Sequence, residues 1–186
     1  CEPFSSFPYA TLPGGVAVQS FEVIGVDFWS VEDPYPTDNI AWQVTDTDGY
    51  VGPKSLYFGD PTSGTYEADP VNPAVGMIWS PSFQISAEAG MPTVLAFWLN
   101  LSTEWDLLGG DFDPEDPHMQ QYDKLTVYLR VVGDDDPIAV WESGSTLGNS
   151  TLGSWQQVGI DVTAWTNKFV RVGFGFDSGE QFGKSY

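Results

Sequence analysis

The sequence is short of cysteine. Cys1 is the only one in 186 residues, so no disulfide can form within the chain. Folding must then depend on a hydrophobic core, for which the 41% hydrophobic and 15% aromatic content supplies the material. Cys1 has three interpretations: the lipid-carrying first residue of a mature bacterial lipoprotein, half of a disulfide to another chain, or a residue that happens to begin the sequence. We treat it as a candidate site of lipidation or of an intermolecular disulfide.

Basic residues are scarce as well. Six Lys and Arg against 26 Asp and Glu give a formal net charge of −20. Because the phosphates of nucleic acids and the headgroups of anionic membranes would be repelled, we expect neither as a partner. Two explanations of the acidity stay open: a surface that keeps the protein soluble, and carboxylates that a bound divalent cation neutralises.

The residues and motifs that enzymes need are also missing. One histidine, His118, leaves too few nitrogen and sulfur ligands for zinc and no second candidate for a general base. The sequence has no nucleophile elbow, phosphate loop or dinucleotide fingerprint. Carboxylates for a paired-acid hydrolase are plentiful, but most fall in turns. We therefore expect a protein that is not an enzyme. No apolar run approaches ~20 residues, which predicts no membrane-spanning helix.

Short apolar runs between turn-forming clusters are what the sequence has in quantity. Twenty glycines and fourteen prolines interrupt every helical period. In residues 124–132, Leu125, Val127 and Leu129 alternate with polar side chains, which is the period of a half-buried strand. The sequence predicts an all-β fold of two packed antiparallel sheets with long acidic loops and little helix at residues 19–186, after an arm or tether at 1–18. The predicted strands are 16–24, 40–45, 55–58, 76–79, 93–100, 124–132, 138–141, 155–162 and 169–176.

Acidic residues are densest between Asp106 and Asp116, where Asp111 and Asp113 follow two glycines. Oxygen ligands at short spacing are typical of calcium sites, although this spacing does not match the EF-hand loop. A solvated loop has the same composition. Asp111 and Asp113 are therefore candidate calcium ligands, with the solvated loop as the alternative.

Eight tryptophans are many for this length. Exposed aromatic rings stack against sugars or bury themselves against a partner protein. Trp29, Trp105 and Trp165 lie in or beside turn-like stretches and are candidate ligand contacts, with a structural role as the alternative. Core positions are expected for the tryptophans within strand runs, which are Trp42, Trp79, Trp98, Trp141 and Trp155.

A series of short segments carries a resemblance to a known family. The segments are 52–60 (GPKSLYFGD), 64–66 (GTY), 76–81 (GMIWSP), 95–98 (LAFW) with Glu104, 122–127 (YDKLTV), 155–158 (WQQV) and 172–179 (VGFGFDSG). Their order resembles MAM-like jelly-roll modules of secreted and surface bacterial proteins. The resemblance implies a concanavalin-like or galactose-binding-like jelly-roll sandwich that serves adhesion, carbohydrate binding or assembly. It also implies a structural calcium, whose ligands at the matching positions are Glu22, Asp60, Glu104, Asp123 and Asp177.

One departure from that family concerns the C-terminal end. In such modules a last strand of the type Gly-Trp-Tyr-Ile-Asp-Asp-Val follows the FDSG segment, whereas this sequence stops after QFGKSY at residues 181–186. We expect either a piece of a longer chain or a last strand that a neighbouring subunit adds to an exposed sheet edge.

The sequence thus predicts a non-catalytic adhesion or assembly module of the extracellular space or outer cell surface, with structural calcium. The expected partners are protein subunits or a cell-surface glycan, with a lipid anchor at Cys1 as one interpretation. The alternative is a carbohydrate-binding module of a secreted enzyme.

Overall fold

A computed structural model of the chain describes residues 10–12, 16–18, 28–37, 39–66, 73–86, 91–103, 123–146 and 150–179. These residues form an all-β structure in which every strand pairing is antiparallel. Helix within this part of the chain is limited to one turn at Ser143–Thr146 and a 3-10 turn at Thr163–Trp165. The predicted all-β class is confirmed.

The strands agree closely with the predicted runs. The run at 16–24 is described only over 16–18, and three short strands at 10–12, 30–32 and 83–84 were not predicted. The strands are β1 Ala10–Leu12, β2 Val16–Val18, β3 Ser30–Glu32, β4 Ala41–Thr45, β5 Ser55–Gly59, β6 Val75–Trp79, β7 Phe83–Gln84, β8 Val94–Leu99, β9 Lys124–Val131, β10 Ile138–Glu142, β11 Gln156–Asp161 and β12 Phe169–Asp177.

The largest sheet has the strand order β10-β9-β12-β6-β3, and β7 pairs with the beginning of β12. The longest ladder joins β9 and β12, from Val170 opposite Val131 to Asp177 opposite Lys124. Period-two alternation gives this sheet two different faces: apolar residues of β9 and β12 point inward, and polar residues and glycines point outward.

The inward face of this sheet is covered by two smaller strand pairs. The pair β8–β11 contributes side chains to one buried cluster with β9 and β12, which includes Val127, Leu129, Val158, Ile160, Val170 and Val172. The hairpin β4–β5 packs on a second cluster, which includes Trp42, Ile78, Leu125 and Phe176. The Nε1 of Trp42 also donates a hydrogen bond to the Gly76 carbonyl at 3.0 Å.

This packing of strand pairs against one face of a sheet is what a sandwich requires. The two-sheet arrangement, the jelly-roll order and the boundary between an arm at 1–18 and a domain at 19–186 stay predictions. The acidic cluster between Asp106 and Asp116 lies outside the described residues. In the part of the chain that the structure describes, no helix has the length and apolar character needed to cross a membrane.

Candidate functional site

The outward face of the six-stranded sheet, called the groove face below, brings charged, aromatic and glycine positions together. On β9 the outward positions run Lys124, Thr126, Tyr128, Arg130, and on β12 they run Asp177, Gly175, Gly173, Arg171. Pairing aligns these positions in rows: Thr126 with Gly175, Met77 and Glu32, and Tyr128 with Gly173, Trp79 and Ser30. Along the strands, the row with Glu32 is followed by the aromatic row of Tyr128 and Trp79, and then by the paired Arg130 and Arg171.

Two glycines form the floor of this face. A Cβ atom at Gly173 would lie 2.6 Å from the indole ring of Trp79, and one at Gly175 would lie 3.1 Å from Met77 and from Tyr128. Real Cβ atoms do not approach ring atoms as closely as 2.6 Å, so the indole occupies space that only glycine leaves free. The glycines thus allow large side chains of the neighbouring strands to lie across β12.

A groove of about 650 Å³ lies on this face over Gly175 and is open to solvent. Its walls combine carboxylates, one ammonium group, a phenol ring and apolar side chains. The lining residues are Glu32, Asp33, Pro34, Val75, Gly76, Met77, Lys124, Thr126, Tyr128, Glu142, Gly175, Phe176 and Asp177.

Local hydrogen bonds and one ion pair orient several of these groups. Asp33 Oδ1 accepts a hydrogen bond from the Tyr35 N–H at 2.8 Å, and Asp177 Oδ1 accepts one from the Gly179 N–H at 2.8 Å. Lys124 Nζ lies 2.8 Å from Glu142 Oε2 at the same end of the sheet. Fixed carboxylates beside an aromatic ring can accept hydrogen bonds from hydroxyl groups while the ring contacts C–H surfaces.

Two of the predicted calcium ligands lie near the same end of the sheet. Asp123 precedes β9 and is only 2% exposed, and its N–H lies 3.3 Å from the Ser178 carbonyl. Asp177, at the end of β12, pairs with Lys124, the neighbour of Asp123. The backbone of Asp123 has φ of 55°, a conformation that a non-glycine residue adopts only where its surroundings require it.

Asp60 lies in the turn after β5. Its Oδ1 accepts a hydrogen bond from the Thr62 N–H at 2.8 Å, and its Oδ2 accepts one from the Ser63 hydroxyl at 3.2 Å. These hydrogen bonds, first that from the Thr62 backbone, hold the pKa of Asp60 below its ordinary value.

Among the described residues, no three His, Cys, Asp or Glu side chains are grouped closely enough to hold a metal ion. The calcium site stays a prediction, since the other proposed ligands lie outside the described residues: Glu22, Glu104, Asp111 and Asp113. Cys1 lies outside them as well.

Two of the three predicted tryptophan contacts pack against the core. Trp29 is half-buried with its ring centroid 6.4 Å from that of Phe174, and Trp165 packs on the cluster beneath β9 and β12. Trp105 lies outside the described residues. Ligand contact by any of the three stays a prediction.

The sequence interpretation missed an exposed aromatic pair on the β8–β11 strand pair. Trp98 points outward from β8, is 39% exposed, and stacks on Tyr50 with 3.6 Å between ring centroids. Trp155 lies 6.3 Å from Tyr50. This surface, with the outward residues of β8 and β11, is called the aromatic face below. The alternation of the inward Leu95, Phe97 and Leu99 was the pattern that could have placed Trp98 outside the core.

No protein-family model matches this chain, and a search of curated proteins finds no significant sequence match. The functional interpretation therefore depends on the fold and on the two surfaces described above.

Proposed function

We propose that the protein is a non-catalytic, adhesion-type module of the extracellular space or outer cell surface that binds a glycan in the groove of its six-stranded sheet. The same site would serve the alternative setting, a carbohydrate-binding module of a secreted enzyme.

One observation carries this proposal: oriented carboxylates and the ring of Tyr128 share an open groove above a glycine floor. Sugars present hydroxyl donors, which carboxylates accept, and flat C–H surfaces, which aromatic rings contact. Asp33 and Asp177 are each engaged by a nearby backbone N–H, and Glu142 by Lys124. Such groups are suited to holding a ligand in one orientation, which supports binding rather than turnover.

Substitution of Tyr128 tests the proposal. We expect Tyr128→Ala to weaken binding on a glycan array or polysaccharide affinity gel at least about tenfold, because stacking and a hydrogen-bonding hydroxyl are both lost. Tyr128→Phe should retain most of the binding.

Tyr50→Ala is the matched control, since Tyr50 is an exposed tyrosine, 46% accessible, on the aromatic face. Equal losses in both alanine variants, or no glycan bound by the wild type at all, would contradict the proposal.

Structural calcium belongs to the proposal as well, supported by the buried Asp123 beside the end of β12. A chelator should lower the melting temperature of the wild type. With calcium present, Asp177→Asn should have a lower melting temperature than the wild type, because one calcium ligand is missing. For the same reason, a chelator should lower the melting temperature of this variant by less than that of the wild type. Asp161→Asn, at the end of β11 on the aromatic face, should respond as the wild type does. An unchanged melting curve, with no metal found by mass spectrometry, would rule calcium out.

Assembly with protein subunits is the second candidate function, and the aromatic face favours it. Exposed Trp98 and Tyr50 form a stacked pair of the kind that is enriched in the centres of protein interfaces. Light scattering should then detect self-association that Trp98→Ala abolishes. A wild type that is monomeric at all concentrations would argue against self-assembly.

A further inference from the structure

We propose that the basic end of the groove face is an anion subsite, where Arg130 and Arg171 bind the carboxylate of a uronic-acid unit in an otherwise neutral glycan. This inference rests on the proposed glycan-binding function and names the class of glycan.

The distribution of basic charge points to this end of the sheet. The chain has only two arginines, and they lie directly opposite each other on β9 and β12. Like charges at paired positions of an antiparallel ladder repel each other. Placing the two arginines together in a protein of net charge −20 therefore needs a reason beyond general solubility.

Among the described residues, the hydrogen bonds of the Arg171 guanidinium go to neutral acceptors. Arg171 donates from Nε to the Ser80 carbonyl at 2.7 Å and from Nη2 to the Ser30 hydroxyl at 2.6 Å. Glu32 is an acidic group that acts on Arg171 electrostatically, opposing the effects of burial and of Arg130. The Nε of Arg130 has no hydrogen-bond partner among the residues that the structure describes. The two guanidinium groups therefore have N–H donors that a ligand could use.

Trp79 holds Arg130 in place without neutralising it. The Cζ of Arg130 lies 4.2 Å from the centroid of the indole ring, and that of Arg171 lies 5.9 Å from it. This cation–π arrangement fixes the planar fork of Arg130, which reduces the entropy lost when a carboxylate binds. Gly173 makes the arrangement possible, because any larger residue would displace the indole.

Two buried donors on this face also lack acceptors. Across the described residues, the buried side-chain nitrogens and oxygens without a hydrogen-bond partner are Trp79 Nε1 and Arg130 Nε. Native structures leave few such groups, and both of these are donors. An anion such as a carboxylate carries several hydrogen-bond acceptors, so a site that binds one needs an excess of donors, as found here.

The subsite lies beside the groove along β9. Arg130 is the next outward position after Tyr128 on β9, about 7 Å further along the strand. An extended glycan would pass the carboxylates and Tyr128 before reaching the arginines. Glu32, Asp33 and Asp177 line the other end, so a densely charged polyanion would be repelled there. The expected ligand therefore carries an isolated carboxylate, which a guanidinium binds with two parallel hydrogen bonds.

The experiment uses an array of oligosaccharides with single uronate units, each printed as the free acid and as its neutral methyl ester. The wild type should bind a free acid about tenfold or more tightly than its ester. Arg130→Gln should remove this preference, so that the free acid is bound no more tightly than its ester. Arg130→Lys should retain part of it, since charge remains but bidentate geometry is lost. Lys168→Gln removes the same charge from an exposed position beside β12 and should behave as the wild type.

The outcomes separate the two proposals. Equal binding of acid and ester by the wild type would overturn the anion subsite and leave the glycan groove standing. A preference that survives in Arg130→Gln at full strength would also overturn it. Binding of neither form on the array would count against both proposals. Melting curves of each variant establish that a lost preference does not come from unfolding.

Discussion

The groove face and the aromatic face each carry a tryptophan on the outward side of a sheet, yet the two residues are in opposite environments. Trp79 is fully buried at 0% exposure, beneath Arg130 and above Gly173. Trp98 is 39% exposed and stacks on Tyr50. The difference comes from the neighbours: glycine below and arginine above enclose an indole, whereas a tyrosine covers only one side of it.

This contrast separates two kinds of surface. The groove face is built by register, because its rows collect residues from β3, β6, β9 and β12, which are far apart in sequence. The aromatic face is built from two strands and the loop that carries Tyr50. A change on the groove face should therefore disturb several strands, and a change on the aromatic face should stay local.

The largest expected effect is the loss of the indole on the groove face. Trp79→Ala should lower the free energy of unfolding by about 3–5 kcal/mol, as removal of a buried aromatic side chain generally does. Trp98→Ala is the matched change on the aromatic face and should cost less, about 1–2 kcal/mol, because the indole is partly exposed and stacks on one ring. Urea unfolding of both variants measures the difference. Equal costs would show that the two tryptophans are in similar environments after all.

A smaller effect is expected from the glycines on the two faces. Gly173→Ala should cost about 1–3 kcal/mol, since its new methyl group overlaps the Trp79 ring and the core cannot relax freely. At Gly159 on β11 a Cβ atom would lie 3.5 Å from Val94, an ordinary contact, so Gly159→Ala should be neutral or slightly stabilising. The melting temperatures of these variants should move in opposite directions or by clearly different amounts; matching shifts would contradict the close approach at Gly173.

The strands could be predicted from sequence because each depends on its own pattern. Alternation in 124–131 and 169–177 follows from one face being buried, and the structure confirms both strands. β3 has the residues Ser-Val-Glu and is exposed throughout, so only its pairing with β6 makes it a strand. The residue pattern within a three-residue segment does not show which other strand it pairs with.

The candidate site could be predicted only in part, for the same reason. Asp123 and Asp177 were named from the resemblance, and the β9–β12 register brings their neighbourhoods together. The pairing of Arg130 with Arg171 and the burial of Trp79 over Gly173 depend on register between strands that are about 40 residues apart or more. Residue type alone assigned Trp98 to the core, whereas its position in the alternation of β8 places it outside.

The smallest expected effect is a pH dependence on the aromatic face, at Asp161. The hydroxyl and the backbone N–H of Thr163 donate to its carboxylate, with the N–H at 2.9 Å from Oδ1, and these bonds hold the pKa of Asp161 below its ordinary value of 3.8. Because a lowered pKa favours the folded state only while the group is ionised, the contribution is complete above the unfolded pKa and is lost as the pH falls through the folded one.

Asp161→Asn keeps the shape of the side chain but not its charge, so it should lose less stability than the wild type on acidification, and the difference should be small because the group is exposed. NMR titration of the Asp161 carboxyl carbon checks the cause directly. In Thr163→Ala, which removes the hydroxyl and leaves the N–H, the pKa should move part of the way back toward 3.8. An unchanged pKa would mean that the backbone N–H of Thr163 alone lowers the pKa of Asp161, and that its hydroxyl contributes nothing.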